Sequence, residues 1–165
     1  MSFSGHRPDR LPGKGDPDAP EAQKLADVLQ KEIIAAIDRG MAAFIHGCMA
    51  GWDIFAAEQV IAVKKQYPHV RLVSVAPYKA DFFNREKCWT PGWINRARVV
   101  FNQHDFGVKV AERYRSGIYY ERNDVLIQYS SELICYHDGG SGGTQYTVKK
   151  AQNNGLTVRN LYGGG

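Results

Sequence analysis

The sequence predicts an α/β fold, a single Rossmann-like three-layer sandwich over residues 1–165 with a mainly parallel central sheet. Two observations carry this. Short apolar runs alternate with longer amphipathic segments along the whole chain. Some runs, such as Glu132-Leu-Ile-Cys-Tyr-His137, are apolar almost throughout, as strands covered on both faces must be.

Phe3-Ser4-Gly5 closes a first short strand. Asp9 to Pro20, rich in Pro, Gly and Asp, reads as a loop. Leu25, Leu29, Ile33 and Ile37 then recur every four residues beside Val28 and Ala36, marking one buried helical face with Gly40 placed to end it. Ala42–His46 predicts a strand, Gly51–Gln66 a helix, and Val70–Ala76 a strand ended by Pro77. Residues 79–106, with Pro91 and Gly92 among aromatic and charged residues, predict two helical pieces around a break. Phe106–Ala111 follows as a strand, Ile118–Tyr129 as a helix, Glu132–His137 as a strand, Thr144–Asn153 as a helix and Leu156–Leu161 as a last strand.

At 44% hydrophobic and 23% charged residues, the composition is that of a soluble globular protein rather than a disordered chain. No apolar run approaches the ~18 residues of a membrane span, and the N-terminus has no secretory pattern. Cys48, Cys88 and Cys135 are too scattered for a disulfide framework or a zinc knuckle. A cytoplasmic protein is expected. Residues 79–122 hold nine Lys or Arg against five acids, which equals the whole net charge of +4. That surplus either attracts anions or is a solvated basic face.

In a parallel sheet the loops after the strands emerge at one edge, where ligands of such folds bind. Four segments are candidates to meet there. Ser4-Gly5-His6-Arg7 offers a small residue for close approach and two side chains that donate to anions. Gly47 and Gly51 bracket a turn into a helix whose first amides suit a phosphate, with Asp53 as helix cap or ligand contact and Glu58 behind it. Asp138-Gly139-Gly140-Ser141-Gly142-Gly143-Thr144 has four glycines that free the backbone to form an anion-binding nest, with Ser141 and Thr144 as donors or caps. Arg122 and Asn123 lie on the preceding helix, where Arg122 either clamps an anion or joins a surface ion pair. Neither GxxxxGK[ST] nor GxGxxG is present, so ordinary ATPase or dinucleotide-dehydrogenase chemistry is not indicated.

SGHRP, HGCMAGWDIFAAE, ERND and DGGSGGTQYTVKKA stand in an order and spacing similar to the YpsA-type (DUF1273) family. That family belongs to the SLOG superfamily of Rossmann-like proteins, related to DNA-processing protein A and the "lonely guy" phosphoribohydrolases. The resemblance runs nearly end to end. It implies a ligand site formed by Gly5, His6, Arg7, Gly47, Gly51, Asp53, Arg122, Asn123 and residues 139–144, and a nucleotide or nucleotide-derived ligand. Cys48 and Trp52 depart from the small or aliphatic residues the family prefers. The phosphoribohydrolases carry a glutamate three residues after the threonine of their glycine turn, and Thr147 stands there instead.

A nucleotide-binding or sensing domain is therefore expected first. A hydrolase or transferase acting on a nucleoside monophosphate or ADP-ribose-like substrate, with Asp53 or Glu58 as acid/base, is the alternative. Single-stranded nucleic-acid binding is a third, because residues 79–122 interleave nine aromatics (82, 83, 89, 93, 101, 106, 114, 119, 120) with the nine bases. Those rings otherwise fill a core or a homodimer contact. The histidines at 6, 46, 69, 104 and 137 show no metal-ligand spacing, so no resident metal is expected beyond Mg²⁺ accompanying a phosphate. His46 and His137, each ending a strand before a glycine turn, are either rings facing the ligand or satisfied structural histidines, and the structural reading is preferred.

Overall fold

The computed structural model describes every residue except 80–82, 84, 164 and 165. Six strands form one all-parallel sheet: β1 (Ser2–Gly5), β2 (Ala43–His46), β3 (Arg71–Tyr78), β4 (Phe106–Ala111), β5 (Glu132–Tyr136) and β6 (Thr157–Asn160). Their spatial order is β4-β3-β2-β1-β5-β6. From β1 the chain builds outward to β4, then crosses back to place β5 on the other side of β1. The order reverses between β1 and β5, so a crevice opens beyond their carboxyl ends.

Five α-helices among the described residues cover the sheet: α1 (Pro20–Asp38), α2 (Trp52–Lys64), α3 (Pro91–Gln103), α4 (Ile118–Gln128) and α5 (Gly143–Asn153). α1 packs on α2 and α2 on α3, while α4 packs on α5. α1 shows how sequence sets an element. Pro20 starts it, Leu25, Leu29, Ile33 and Ile37 are all buried, and Gly40 at φ +95° ends it. The closing bonds run from the Gly40 amide to the Ile37 carbonyl (2.8 Å) and from Met41 to Ala36 (3.0 Å). β5 is buried along its whole length, as its unbroken apolar run requires.

Three expectations need correction. The loop from Asp9 to Pro20 is ordered by short 3₁₀ turns at Pro8–Arg10 and Pro12–Gly15, because prolines preset both starts. Pro77 does not end β3. The last β2–β3 pair is His46 with Ser74, whereas β3–β4 pairing continues to Tyr78 with Ala111. Pro77 thus sits where β3 has one neighbour only, and its missing N–H breaks no ladder. Across 79–106 the described residues form one helix rather than two pieces. The Thr90 side chain accepts from the Trp93 amide (3.4 Å), so Pro91 is the first helical residue and no break. Part of the expected earlier piece, residues 80–82 and 84, lies outside the described residues.

No helix among the described residues is long and apolar enough to cross a membrane. Of the nine interleaved aromatics, Phe82 lies outside the described residues. Trp89 and Trp93 are buried, Phe83, Phe101 and Tyr119 pack against the core, and Phe106, Tyr114 and Tyr120 are exposed.

Candidate functional site

A cavity of about 380 Å³ opens at the carboxyl ends of β1 and β5, at the reversal of strand order. Its wall includes Ser4, Gly5, His6 and Arg7 from the β1 loop, Asp53 from α2, and Arg122 and Asn123 from α4. Gly140, Ser141, Gly142, Gly143 and Thr144 close the other side. Four segments far apart in sequence therefore meet, as parallel topology allows.

The turn after β5 is open. Gly142 precedes the first helical residue of α5 and no side chain caps the helix, so Ser141 and Thr144 do not take the capping role expected of them. The amides of the first turn, Gly143 to Gln145, are left for a ligand or solvent at the positive end of the helix dipole. A Cβ at Gly139, Gly142 or Gly143 would meet no atom within 4 Å. Asp138 holds the start of the turn. One of its oxygens accepts the Gly140 amide (2.9 Å), which with His6 and Arg10 nearby keeps this carboxyl below the ordinary aspartate range. The Asp138 amide donates to Nε2 of His6 (3.0 Å), tying the β5 loop to the β1 loop.

The turn after β2 is closed, and the phosphate role expected of it does not fit. Every residue from Gly47 to Asp53 is buried. A Cβ on Gly47 would collide with the Arg122 guanidinium, whose Nη1 donates to the Gly47 carbonyl. A Cβ on Gly51 would stand 2.5 Å from the His6 carbonyl oxygen, which accepts the first amide of α2 from Trp52 (3.0 Å). Gly5 likewise makes room for the Trp52 side chain. These three glycines admit protein, and only Asp53 of the turn reaches the cavity.

Asp53 caps nothing at the helix start. Its Oδ2 accepts the Met49 amide (3.2 Å) and lies 3.3 Å from Arg122 Nη1. Burial pushes the Asp53 carboxyl up, opposed by the Arg122 and Arg7 cations, and burial equally works against the Arg122 charge. Arg122 is no surface residue, at 5% exposed, and its Nε has no hydrogen-bond partner. Two further cations border the cavity. Arg7 pairs with Glu86 (2.9 Å) and Arg10 with Asp138 (3.3 Å).

Glu58 lies elsewhere. It holds Arg96 through two bonds of 2.7 and 2.5 Å, and Arg96 also donates to the Gly15 carbonyl and stacks on Trp93. Glu58 does not line the cavity. Thr147 is fully buried, donating to the Gly143 carbonyl (2.9 Å), so its position faces inward under α5. The histidines at the carboxyl ends of β2 and β5 differ. His46 is satisfied as expected, bonded to Ser74 Oγ (2.7 Å) and accepting the Cys48 amide, and burial pushes its pKa down to about 3. His137 lines the cavity with Nδ1 unpartnered, contrary to the expectation of a satisfied ring. Burial and the neighbouring His6 ring lower its pKa as well.

Beyond the residues that the sequence marks for the site, the wall takes in Asp9, Arg10, Tyr119, Leu126 and Gln145, and it includes His137, for which the structural reading was preferred. Gln145 follows the glycine turn directly and was visible as part of the next helix's first turn. Arg10 was hidden in a stretch read as loop, and it arrives only through the 3₁₀ turn at Pro8–Arg10.

The YpsA model, described as the YspA SLOG family, matches residues 1–160. The UPF0398 protein of Bacillus pumilus is 26% identical over 156 residues, covering 93% of this chain and 81% of that protein. The UPF0398 protein YpsA of Bacillus subtilis is 22% identical over 146 residues, covering 87% and 78%. Among solved structures, DNA processing protein A from Helicobacter pylori, described for its single-stranded DNA binding mode, aligns with a TM-score of 0.61 at 18% identity. That alignment covers 96% of this chain, which spans 63% of the other. The chain belongs to the YpsA SLOG family.

Proposed function

We propose that this SLOG-family chain binds a nucleotide or nucleotide-derived small molecule, with a phosphate seated on the 139–144 turn. The observation that carries the reading is the uncapped start of α5 facing a cavity that also holds the buried Arg122, whose Nε lacks a partner. Unpaired amides at a helix start and a desolvated guanidinium are both arranged for an anion. Asp53 and Asn123 supply an acceptor and an amide for the hydroxyls or base of the same ligand. Mg²⁺ would enter with the phosphates, as an accompanying ion.

Turnover has weaker support. Asp53 is the candidate acid/base, but its Oδ2 is already engaged by Arg122 and Met49, and Thr147 supplies no carboxylate. Single-stranded DNA binding is favoured by one observation, the shared fold with a protein whose described property is that binding. Against it, among the described interleaved rings only Phe106, Tyr114 and Tyr120 are exposed for stacking.

Calorimetric titration with a panel of nucleoside monophosphates, ADP-ribose and a single-stranded oligonucleotide separates these readings. Binding of a small nucleotide, lost in Arg122→Lys and without release of free base, supports the proposal. Released base abolished by Asp53→Asn would make the protein an enzyme. Oligonucleotide binding alone, weakening steeply with salt, would replace the small-molecule reading.

A further inference from the structure

We propose that His6, His137 and Asp138 bind one divalent transition-metal ion at the edge of the cavity. Each residue brings one ligand atom, and the three atoms lie within 4.8 Å of one another. Oδ1 of Asp138 is 3.1 Å from Nε2 of His6 and 3.9 Å from Nδ1 of His137. Two donors held about 2.1 Å from one ion at a tetrahedral angle stand roughly 3.4 Å apart. The observed separations bracket that spacing, so small side-chain rotations bring the donors onto a shared ion.

An independent sign comes from His137 itself. The residue is only 6% exposed, yet its Nδ1 has no hydrogen-bond partner among the described residues. Leaving a buried polar atom unpaired costs about 1–3 kcal/mol, and native proteins rarely do so without a use. The nearest carboxylate oxygen, at 3.9 Å, is too far to hydrogen-bond but well placed to share an ion. The His137 backbone is clamped by Asn160, which accepts its amide (3.0 Å) and donates to its carbonyl (2.7 Å). β6 thereby fixes where the ring stands, the kind of support that metal ligands need.

The donor set selects the ion. Two imidazoles and one carboxylate suit zinc, cobalt or iron(II), whereas Mg²⁺ and Ca²⁺ favour oxygen ligands. Three protein ligands leave coordination positions for water or a ligand oxygen, and both histidines line the cavity. Three local bonds are involved. Oδ1 of Asp138 already accepts the Gly140 amide (2.9 Å) and has a second lone pair for the ion. Nε2 of His6 accepts the Asp138 amide, and metal entry exchanges that bond for a metal–nitrogen bond. Arg10 lies 3.3 Å from the other Asp138 oxygen, but its side chain is 55% exposed and free to turn into solvent.

The test titrates Zn²⁺ and Co²⁺ into the full chain in a non-chelating buffer without nucleotide. One equivalent is expected, with His137→Gln and Asp138→Asn each weakening it roughly ten-fold or more. His69→Gln, at the opposite edge of the sheet, is expected to leave binding unchanged. In the unmutated protein, zinc should also shift the ring nitrogen resonances of His6 and His137, a readout that does not depend on the variants folding. No binding, binding indifferent to both variants, or ring shifts confined to other histidines would overturn the assignment. Nucleotide binding measured in EDTA tests the phosphate reading separately.

Discussion

The turn after β2 and the turn after β5 each carry a strand into a helix through glycines, with a histidine as the last residue of β2 (His46) and as the first residue after β5 (His137). At Gly47–Gly51 every residue is buried, a Cβ on Gly47 or Gly51 would strike Arg122 or the His6 backbone, and His46 is hydrogen-bonded. At Gly139–Gly143 a Cβ on three of the four glycines meets nothing, the helix start is uncapped, and His137 has a bare nitrogen. Glycine reports that something must come close without saying what. Position in the sheet decides it. The β2 turn lies inside the consecutive run β1-β2-β3, where the β1 loop folds onto α2, while the β5 turn borders the reversal point.

The largest test of the contrast is at the junction of the two regions. Arg122→Met removes the cation that fills the space at Gly47 and leaves Asp53 buried without its partner. A loss of about 3–5 kcal/mol in urea unfolding is expected, because breaking a buried pair strands one charge. A loss below ~1 kcal/mol would mean that the closed turn does not depend on this pair.

Next comes the glycine exchange. Gly51→Ala places a Cβ against backbone at φ +98°, and should destabilise by about 2–4 kcal/mol. Gly143→Ala meets open space and should change stability by no more than about 0.5 kcal/mol. The same substitution should weaken nucleotide binding about ten-fold by crowding the phosphate. Equal effects of the two on stability would erase the distinction between a packed and an open turn.

The histidines give a pH test. His46 titrates near 6.5 when unfolded and at about 3 when folded, so the folded state binds fewer protons between those values. Its contribution to stability is full above pH 6.5 and falls as pH drops through that window, by about 2 kcal/mol at pH 5. Unfolding of the unmutated protein and His46→Gln at pH 7 and pH 5 checks this. The variant should be less stable at pH 7 and show the smaller acid loss.

The smallest effect concerns Arg7. Glu86 holds its guanidinium at 2.9 Å, but both side chains are partly exposed and the pair is screened. Glu86→Gln should free Arg7 for the ligand and tighten nucleotide binding a few-fold, measured by calorimetry. Weaker binding would mean that the pair positions Arg7 for the ligand.

Much of the layout was legible because local chemistry repeats it. The period of four in α1, the apolar run of β5 and the glycines after it each point to one structure. Pro91-Gly92 reads as a break because proline both stops helices and starts them, and the capping hydroxyl of Thr90 decides which. The closed turn was not legible at all. What fills the space at Gly47 is Arg122, 75 residues away, and no local pattern announces such a partner. The same limit leaves His137 between a ring facing the ligand and a satisfied one, since its bare nitrogen is a fact about what fails to pack against it.

Titrating the ¹⁵N-labelled protein with the tightest nucleotide of the panel tests the central claim most directly. The account predicts that the amides of Gly143, Thr144 and Gln145 shift with the ligand while those from Cys48 to Trp52 stay in place. Shifts at Cys48 to Trp52 with none at Gly143 to Gln145, or no shift with any nucleotide, would contradict it.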